Sequence, residues 1–364
     1  MKHDVSSLVL SVRNVHEALP LALAILNRQG VQRQSRNGPV LAAPFPVVTT
    51  YERPCERVIF WSARDANPFL HLCESLWILA GRGDVAPLLR YAKNFANYSD
   101  DGVKFHAPYG YRWRRQFGDQ LAKIAKRLAA DPDDRRCVLQ TWSASLDLDM
   151  ESKDIPCNVM LTFQRGADGE LNVVVFQRSA DIIWGTYGAN AVQMSMLQEY
   201  VAAWIGCPVG TLTQVSVNWH AYVDVFEKMA ALADEVEPVI YSVPRQVENP
   251  YVSETANPPR VRMLPLIGPI GALDVEIDRV LTQADTGFQY DAATARLSPF
   301  MAVAYGVLRA HEAWRTLAAP ERFDRALAIL SELSADVDWV VAAREWIGRR
   351  QAVWEAKQLA GAGA

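Results

Sequence analysis

Two β-rich runs, Met160 to Gln164 and Leu171 to Gln177, flank the turn sequence Gly166-Ala167-Asp168-Gly169, a pattern that predicts a hairpin. The hairpin starts just after Ile155-Pro156-Cys157-Asn158 and runs out into Gln177-Arg178-Ser179-Ala180-Asp181, so it folds Arg178 back beside Cys157. A free thiol has a pKa of about 8.5 and is only a few per cent thiolate at neutral pH, whereas a cationic neighbour lowers that value. The pairing marks Cys157 as a candidate nucleophile.

Around this hairpin the chain reads as a mixture of helices and strands. Residues 13 to 29 have helical spacing, with Val15, Ala18, Leu19, Leu21, Ala22, Ile25 and Leu26 on one face and Gly30 closing the segment. Pro39 to Thr50 is interrupted by proline and rich in β-branched residues, as in an edge strand and loop. Pro68 to Leu79 is helical in period and almost wholly apolar, apart from Glu74. Burying an unpaired carboxylate is costly and raises its pKa, so Glu74 is either paired or used. Cys137 to Trp142 and Thr213 to Asn218 read as strands, and Asn190 to Ile205 as a long buried helix with Met194, Leu197, Val201 and Trp204 in the core. Pro244 to Pro269 suggests an irregular connection, followed by helices over 299–318, 320–333 and 337–359 and a flexible tail, Gly361-Ala362-Gly363-Ala364. The division this implies is a catalytic region 1–245, an irregular connection 246–298 and a helical extension 299–364.

Composition narrows the class. With 364 residues, half of them apolar, the chain can bury a large core as one domain or two. A net charge of −4 argues against direct binding of nucleic acid, which needs a basic surface, and leaves any anion to a local cluster of arginines. The five cysteines are widely spaced with no CxxC pair and no zinc-type histidine spacing, which predicts reduced thiols and no metal. Neither a signal peptide nor a membrane span is visible, so the expected location is the cytoplasm, that of the host cell if the source is viral.

The Pro-Cys, the Gln-Arg-Ser-x-Asp about twenty residues later and Asn218-Trp219-His220-Ala221-Tyr222 together resemble the thymidylate synthase family, which includes the pyrimidine nucleotide hydroxymethylases. The resemblance continues upstream through Arg36-Asn37-Gly38, Pro46-Val47-Val48-Thr49-Thr50, Glu74-Ser75-Leu76-Trp77, Tyr109-Gly110-Tyr111-Arg112-Trp113-Arg114 and Asp134-Arg135-Arg136, and covers roughly residues 25 to 230. It implies an α/β fold, a mixed β-sheet packed with helices, dimerising back to back through the sheet; the C-terminal helical extension is read from periodicity. It also implies roles. Cys157 would add to pyrimidine C6, Glu74 would move protons around the base, and Tyr109 would assist transfer of the C5 proton. Arg36, Arg178 and Ser179 would hold the 5′-phosphate together with Arg135 and Arg136 of the other subunit, with Gln177 also among the substrate contacts. His220 and Tyr222 would bind the sugar 3′-hydroxyl, and Asn190 would read the base if the loop Gly185-Thr186-Tyr187-Gly188-Ala189 carries one extra residue. The co-substrate would be 5,10-methylenetetrahydrofolate, with Asp181 and Phe95 beside it.

Three departures bear on the product. Synthases usually carry Trp where this chain has Asn94-Phe95-Ala96-Asn97-Tyr98, and His where it has Asn158. They also end soon after the His-x-Tyr region in a short tail that closes over the folate, whereas this chain runs on for more than a hundred residues. Without that closure water is admitted and a desolvated hydride step is harder to sustain. The expectation is hydroxymethylation of dUMP, with dCMP hydroxymethylation and methylation of dUMP as alternatives. A catalytically retired nucleotide- or RNA-binding relative is disfavoured by the joint presence of Cys157, Glu74, Tyr109, Asn190 and the arginines.

Overall fold

The structure, a computed structural model, describes residues 7–234, 248–253, 259–268, 270–288 and 297–362. Among them, one sheet has the order β1 (Leu8–Val12), β4 (Val47–Tyr51), β9 (Val209–Ser216), β7 (Leu171–Gln177), β6 (Asn158–Arg165), β5 (Val138–Gln140). A smaller sheet has the order β2 (Val31–Ser35), β3 (Gly38–Ala42), β10 (Trp219–Tyr222), β8 (Ala180–Asp181). The large sheet is mixed: β1 with β4 and β7 with β9 run parallel, and the remaining pairs are antiparallel.

Strand alternation gives the large sheet two unlike faces. Leu171, Val173 and Val175 of β7 are buried, as are Leu161 and Phe163 of β6 and Val47 and Tyr51 of β4. Helix α4 (Asn190–Ile205) packs on β7 and β9 from this side, and α3 (Gln120–Ala130) packs on α4. On the other face the register aligns Val48, Val215, Phe176 and Met160 in one row. A second row runs through Thr50, Thr213, Val174, Thr162 and Val138. Every residue of these two rows is half-buried or exposed, so among the described residues this β-branched and apolar face is left without full cover.

The helices start where their sequences provide caps. Asn14 opens α1 (Val15–Gln29) by accepting the Glu17 N–H, and Asn67 opens α2 (Pro68–Leu79) by accepting the Leu70 N–H at 3.1 Å. Pro20 lies inside α1, where it has no N–H for the carbonyl of His16; that carbonyl instead accepts the Trp61 indole N–H at 2.7 Å. The all-round apolar character of α2 is explained by its neighbours. It lies between α4 on one side and, on the other, α5 (Ile270–Thr286), α6 (Pro299–Thr316) and α8 (Asp338–Ala362), which follows α7 (Glu321–Ser331). Leu72 and Leu76 are fully buried there, each contributing about 1.5–3 kcal/mol by removal from water.

Buried polar links tie the C-terminal helices to this core. The Tyr251 hydroxyl donates to Asp338 at 2.9 Å and accepts the Val58 N–H at 3.3 Å. Arg57 and Glu199 form a buried ion pair at 2.5 Å, and the same carboxylate accepts the Leu266 N–H at 3.0 Å.

The fold departs from the sequence expectations in three places. The segment 39–50 is not an edge: β3 and β4 each have a neighbour on both sides, and Pro39 is tolerated because it precedes the part of β3 that pairs with β10. The connection 246–298 is not irregular throughout, since it holds α5, whose Leu273, Ile277, Val280, Leu281 and Ala284 are buried at helical spacing. The tail is helical through Ala362, because alanine and its neighbours extend α8; Gly363 and Ala364 lie outside the described residues, as do 235–247, 254–258, 269 and 289–296.

Candidate active site

The hairpin forms, and it brings Arg178 to the loop carrying Cys157. The Arg178 main-chain N–H donates to the Cys157 carbonyl at 3.0 Å, while its side chain donates to the carbonyls of Pro156 and Ile155 at 2.8 and 2.9 Å. The Arg178 guanidinium also lies over the Trp142 ring at 5.5 Å. Arg36 reaches the same loop and donates to the carbonyls of Ser152 and Lys153 at 3.2 and 3.4 Å. Both guanidiniums thus hold main-chain carbonyls of the loop.

The Cys157 thiol is held above its ordinary pKa: Arg178 acts to lower it, as expected, but does not set the net direction. Burial is the main cause and outweighs Arg178 and Arg36, while Asp154 and Asp181 add to it. At rest the group is a thiol, and its activation falls to a bound substrate or a base.

Beside this loop lies a cavity of about 210 Å³. Its polar lining is Glu74, Tyr109, Asp154, Asn190 and Gln193. Its apolar lining includes Trp77, Phe95, Tyr98 and Phe105, whose rings meet edge to face at 5.8–6.2 Å. Cys157 does not line the cavity itself, but two residues that do, Asp154 and Tyr109, are close enough to interact electrostatically with the thiol.

Each wall residue has a local reason for its place. Glu74 is carried by α2, and a glycine at 110 lets the Tyr109 turn press against that helix, where a Cβ would come within 1.8 Å of the Ile78 carbonyl. Tyr109 stacks on Trp113 at 5.7 Å, and burial pushes its phenol well up. Asn190 begins α4 and donates to Gln193 one turn on, at 3.1 Å. Glu74 opens to the cavity over part of its surface, but its Oε2 is shut off from solvent and has no hydrogen-bond partner among the described residues. Burial raises its carboxyl to about 7, against a smaller lowering by Gln193.

The other expected residues fall in three groups. Ser179 and His220 line a second recess of about 410 Å³, together with Arg33, Ser35 and Asn218. His220 donates from Nδ1 to the Asn218 carbonyl at 2.9 Å, which leaves Nε2 as an acceptor in the neutral ring; Tyr222 meets it edge to face at 5.7 Å and accepts from Asn37 at 3.4 Å. Asp181 is in register with His220, and its Oδ1 accepts the Ile183 and Trp184 N–H groups at 2.8 and 3.1 Å, capping the irregular helical turn over 182–189. Gln177 departs from its expected place among the substrate contacts. It is 1% exposed, and its amide is taken up by Asn158, Ser216 and Thr186, because its strand position points it beneath the sheet. Arg135 and Arg136 are exposed just before β5, the edge of the large sheet, and Arg136 pairs with Asp134 at 2.9 Å.

Two wall residues, Asp154 and Gln193, were missed in the sequence. Their signals were positional: Asp154 is three residues before Cys157, and Gln193 is one helical turn after Asn190. All five cysteines are free thiols, Cys73 and Cys137 being buried. Among the described residues no cluster of metal-ligating side chains occurs, and no helix is long and apolar enough to cross a membrane.

Residues 23–246 match the thymidylate synthase family. The chain is 45% identical over 352 residues to the deoxyuridylate hydroxymethyltransferase of Pseudomonas phage M6, a match covering 96% of both chains. The deoxyuridylate hydroxymethyltransferase of Bacillus phage SP01 is 39% identical over 206 residues, 53% of each chain. The thymidylate synthase of T4 phage is similar with a TM-score of 0.47 and 21% identity, over 57% of this chain and 77% of that one.

Proposed function

The chain belongs to the thymidylate synthase family, and we propose that it is a folate-dependent hydroxymethyltransferase that converts dUMP to 5-hydroxymethyl-dUMP. One observation carries the choice of product. Among the described residues the cavity beside Cys157 is lined by residues between 74 and 193, and none of the described C-terminal helices lines it in place of a synthase tail. A site left open to water favours addition of water over a desolvated hydride transfer. The near full-length match to the phage M6 enzyme supports the same reading.

In this reading Cys157 bonds to C6 of the uracil ring and makes C5 nucleophilic. Asn190 offers an amide that donates to one edge atom of uracil and accepts from another. Glu74, poised near neutrality, exchanges a proton with the ring oxygen, and Tyr109 assists removal of the C5 hydrogen. Arg36, Arg178 and Ser179 hold the phosphate, and His220 and Tyr222 hold the 3′-hydroxyl. Methylenetetrahydrofolate supplies the one-carbon unit; the aromatic side of the cavity, Trp77, Phe95 and Phe105, fits a flat heteroaromatic ring, and Asp181, which does not line this cavity, is the contact the family resemblance implies for the pterin.

The working unit is a homodimer formed through the open face of the large sheet. The two rows ending at Met160 and Val138 supply an apolar patch, and Arg135 and Arg136 stand at its border, where they reach the phosphate site of a second copy. Residues 1–245 are the catalytic region and 299–364 the extension that buttresses α2. The activity is tested by incubating the protein and methylenetetrahydrofolate with dUMP or dCMP in separate reactions and following dihydrofolate absorbance. Consumption of dUMP without dihydrofolate is expected; stoichiometric dihydrofolate makes the protein a synthase, and preferential consumption of dCMP reassigns the base.

A further inference from the structure

We propose that Asp154 is the general base that takes a proton from the water adding to the one-carbon unit, an inference that rests on the hydroxymethylation reading above. Asp154 shares the cavity with Glu74, Tyr109 and Asn190, and it is close enough to Cys157 to act on the thiol's charge. Its Oδ2 accepts the Ala107 N–H at 2.8 Å. Among the described residues its Oδ1 takes no hydrogen bond and its carboxylate pairs with no cation, so one oxygen of this cavity-lining carboxylate is left without a partner. The other nearby acid, Asp181, has its Oδ1 engaged by two main-chain N–H groups. Glu74 sits on α2, and its buried Oε2 is closed to solvent. Glu74, the other carboxyl that lines the cavity, is assigned above to the ring oxygen, which leaves Asp154 for the entering water. Burial raises this carboxyl from its ordinary value, the direction that makes it a stronger base.

The step balances without a further reactant. Loss of tetrahydrofolate leaves an exocyclic methylene at C5 of the nucleotide, still bonded through C6 to Cys157. The water oxygen bonds to the methylene carbon while Asp154 accepts one of its protons. The methylene π electrons pass into the ring as a C4 enolate. Collapse of that enolate forms the C5–C6 double bond and expels the Cys157 thiolate, which recovers the proton from Asp154 directly or through solvent.

A purely structural role is the competing explanation, since the Ala107 bond steadies the turn leading to Tyr109. Asp154→Asn keeps an acceptor for that bond and removes the base. The test gives wild type and this variant dUMP labelled at C5 with tritium, plus methylenetetrahydrofolate, with and without 2-mercaptoethanol, a nucleophile that needs little help to add. The variant is expected to form hydroxymethyl product at least about 100-fold more slowly. It is also expected to release tritium on binding folate and, with thiol present, to form the 5-thioether at a rate near that of wild type. An unchanged hydroxymethylation rate overturns the proposal. Loss of tritium release together with thioether formation also overturns it, because Asp154 then acts before the water step or serves only the structure. A wild-type enzyme that yields methylated nucleotide instead overturns the hydroxymethylase reading itself.

Discussion

Arg178 and Cys157 are joined through the main chain rather than through charge: the Arg178 N–H donates to the Cys157 carbonyl at 3.0 Å, and its guanidinium binds the two preceding carbonyls. The arginine holds the main chain that carries the thiol, and its charge offsets only part of the burial that holds the thiol neutral.

Removing that charge has a defined sign. Arg178→Gln raises the Cys157 pKa further, so less thiolate is present at neutral pH and alkylation by iodoacetamide slows several-fold. Peptide mapping, which separates Cys157 from the other four thiols, reads the rate; an unchanged rate means that the guanidinium does not act on the thiol.

Glu74 makes stability depend on pH. Its folded pKa of about 7 lies above the usual 4.5, so the native state binds more protons than the unfolded chain between those values and loses stability as pH rises through them. Glu74→Gln removes this penalty, which amounts to up to about 3 kcal/mol. The variant should melt above wild type at alkaline pH and converge with it at acid pH, while its turnover falls by about 100-fold or more. Parallel melting curves at all pH values contradict the burial argument.

The hairpin, the helix Asn190–Ile205 and the helix Pro68–Leu79 were legible in the sequence because their periodicity and turn residues agree with their tertiary surroundings. The interior position of β3 and β4 was not, because strand order depends on pairing partners as remote as β9 and β10. Helix α5 was hidden by its proline-rich approach. The clustering of Cys157, Glu74, Tyr109 and Asn190 came from the resemblance. Asp154 was passed over because a single acidic residue beside a nucleophile has no periodic signal, and only the cavity shows what it faces.

The C-terminal helices act at a distance from the chemistry. Tyr251→Phe leaves the Val58 N–H without a partner in the interior and leaves the Asp338 carboxyl with only the Trp339 N–H, at a cost of about 1–3 kcal/mol. Chemical denaturation should show the loss, and kcat should stay within about twofold of wild type because no residue of this link lines the cavity. A large fall in kcat at full folding would give the extension a direct catalytic part.

Subunit sharing is open to complementation. Cys157→Ala and the double variant Arg135→Ala, Arg136→Ala should each be inactive. Mixed after mild unfolding and refolding, they should recover activity, since each heterodimer holds one site with an intact thiol and the partner's intact arginines. No recovery, with heterodimers present by native mass spectrometry, places the arginines in their own subunit's site or outside it.

Turnover of dUMP with methylenetetrahydrofolate in water enriched in heavy oxygen, followed by mass spectrometry of the nucleotide, tests the central claim most directly. The account predicts a 5-hydroxymethyl product that carries one heavy oxygen, absent when Cys157→Ala is used. A methylated product without the label, formed together with dihydrofolate, would contradict it.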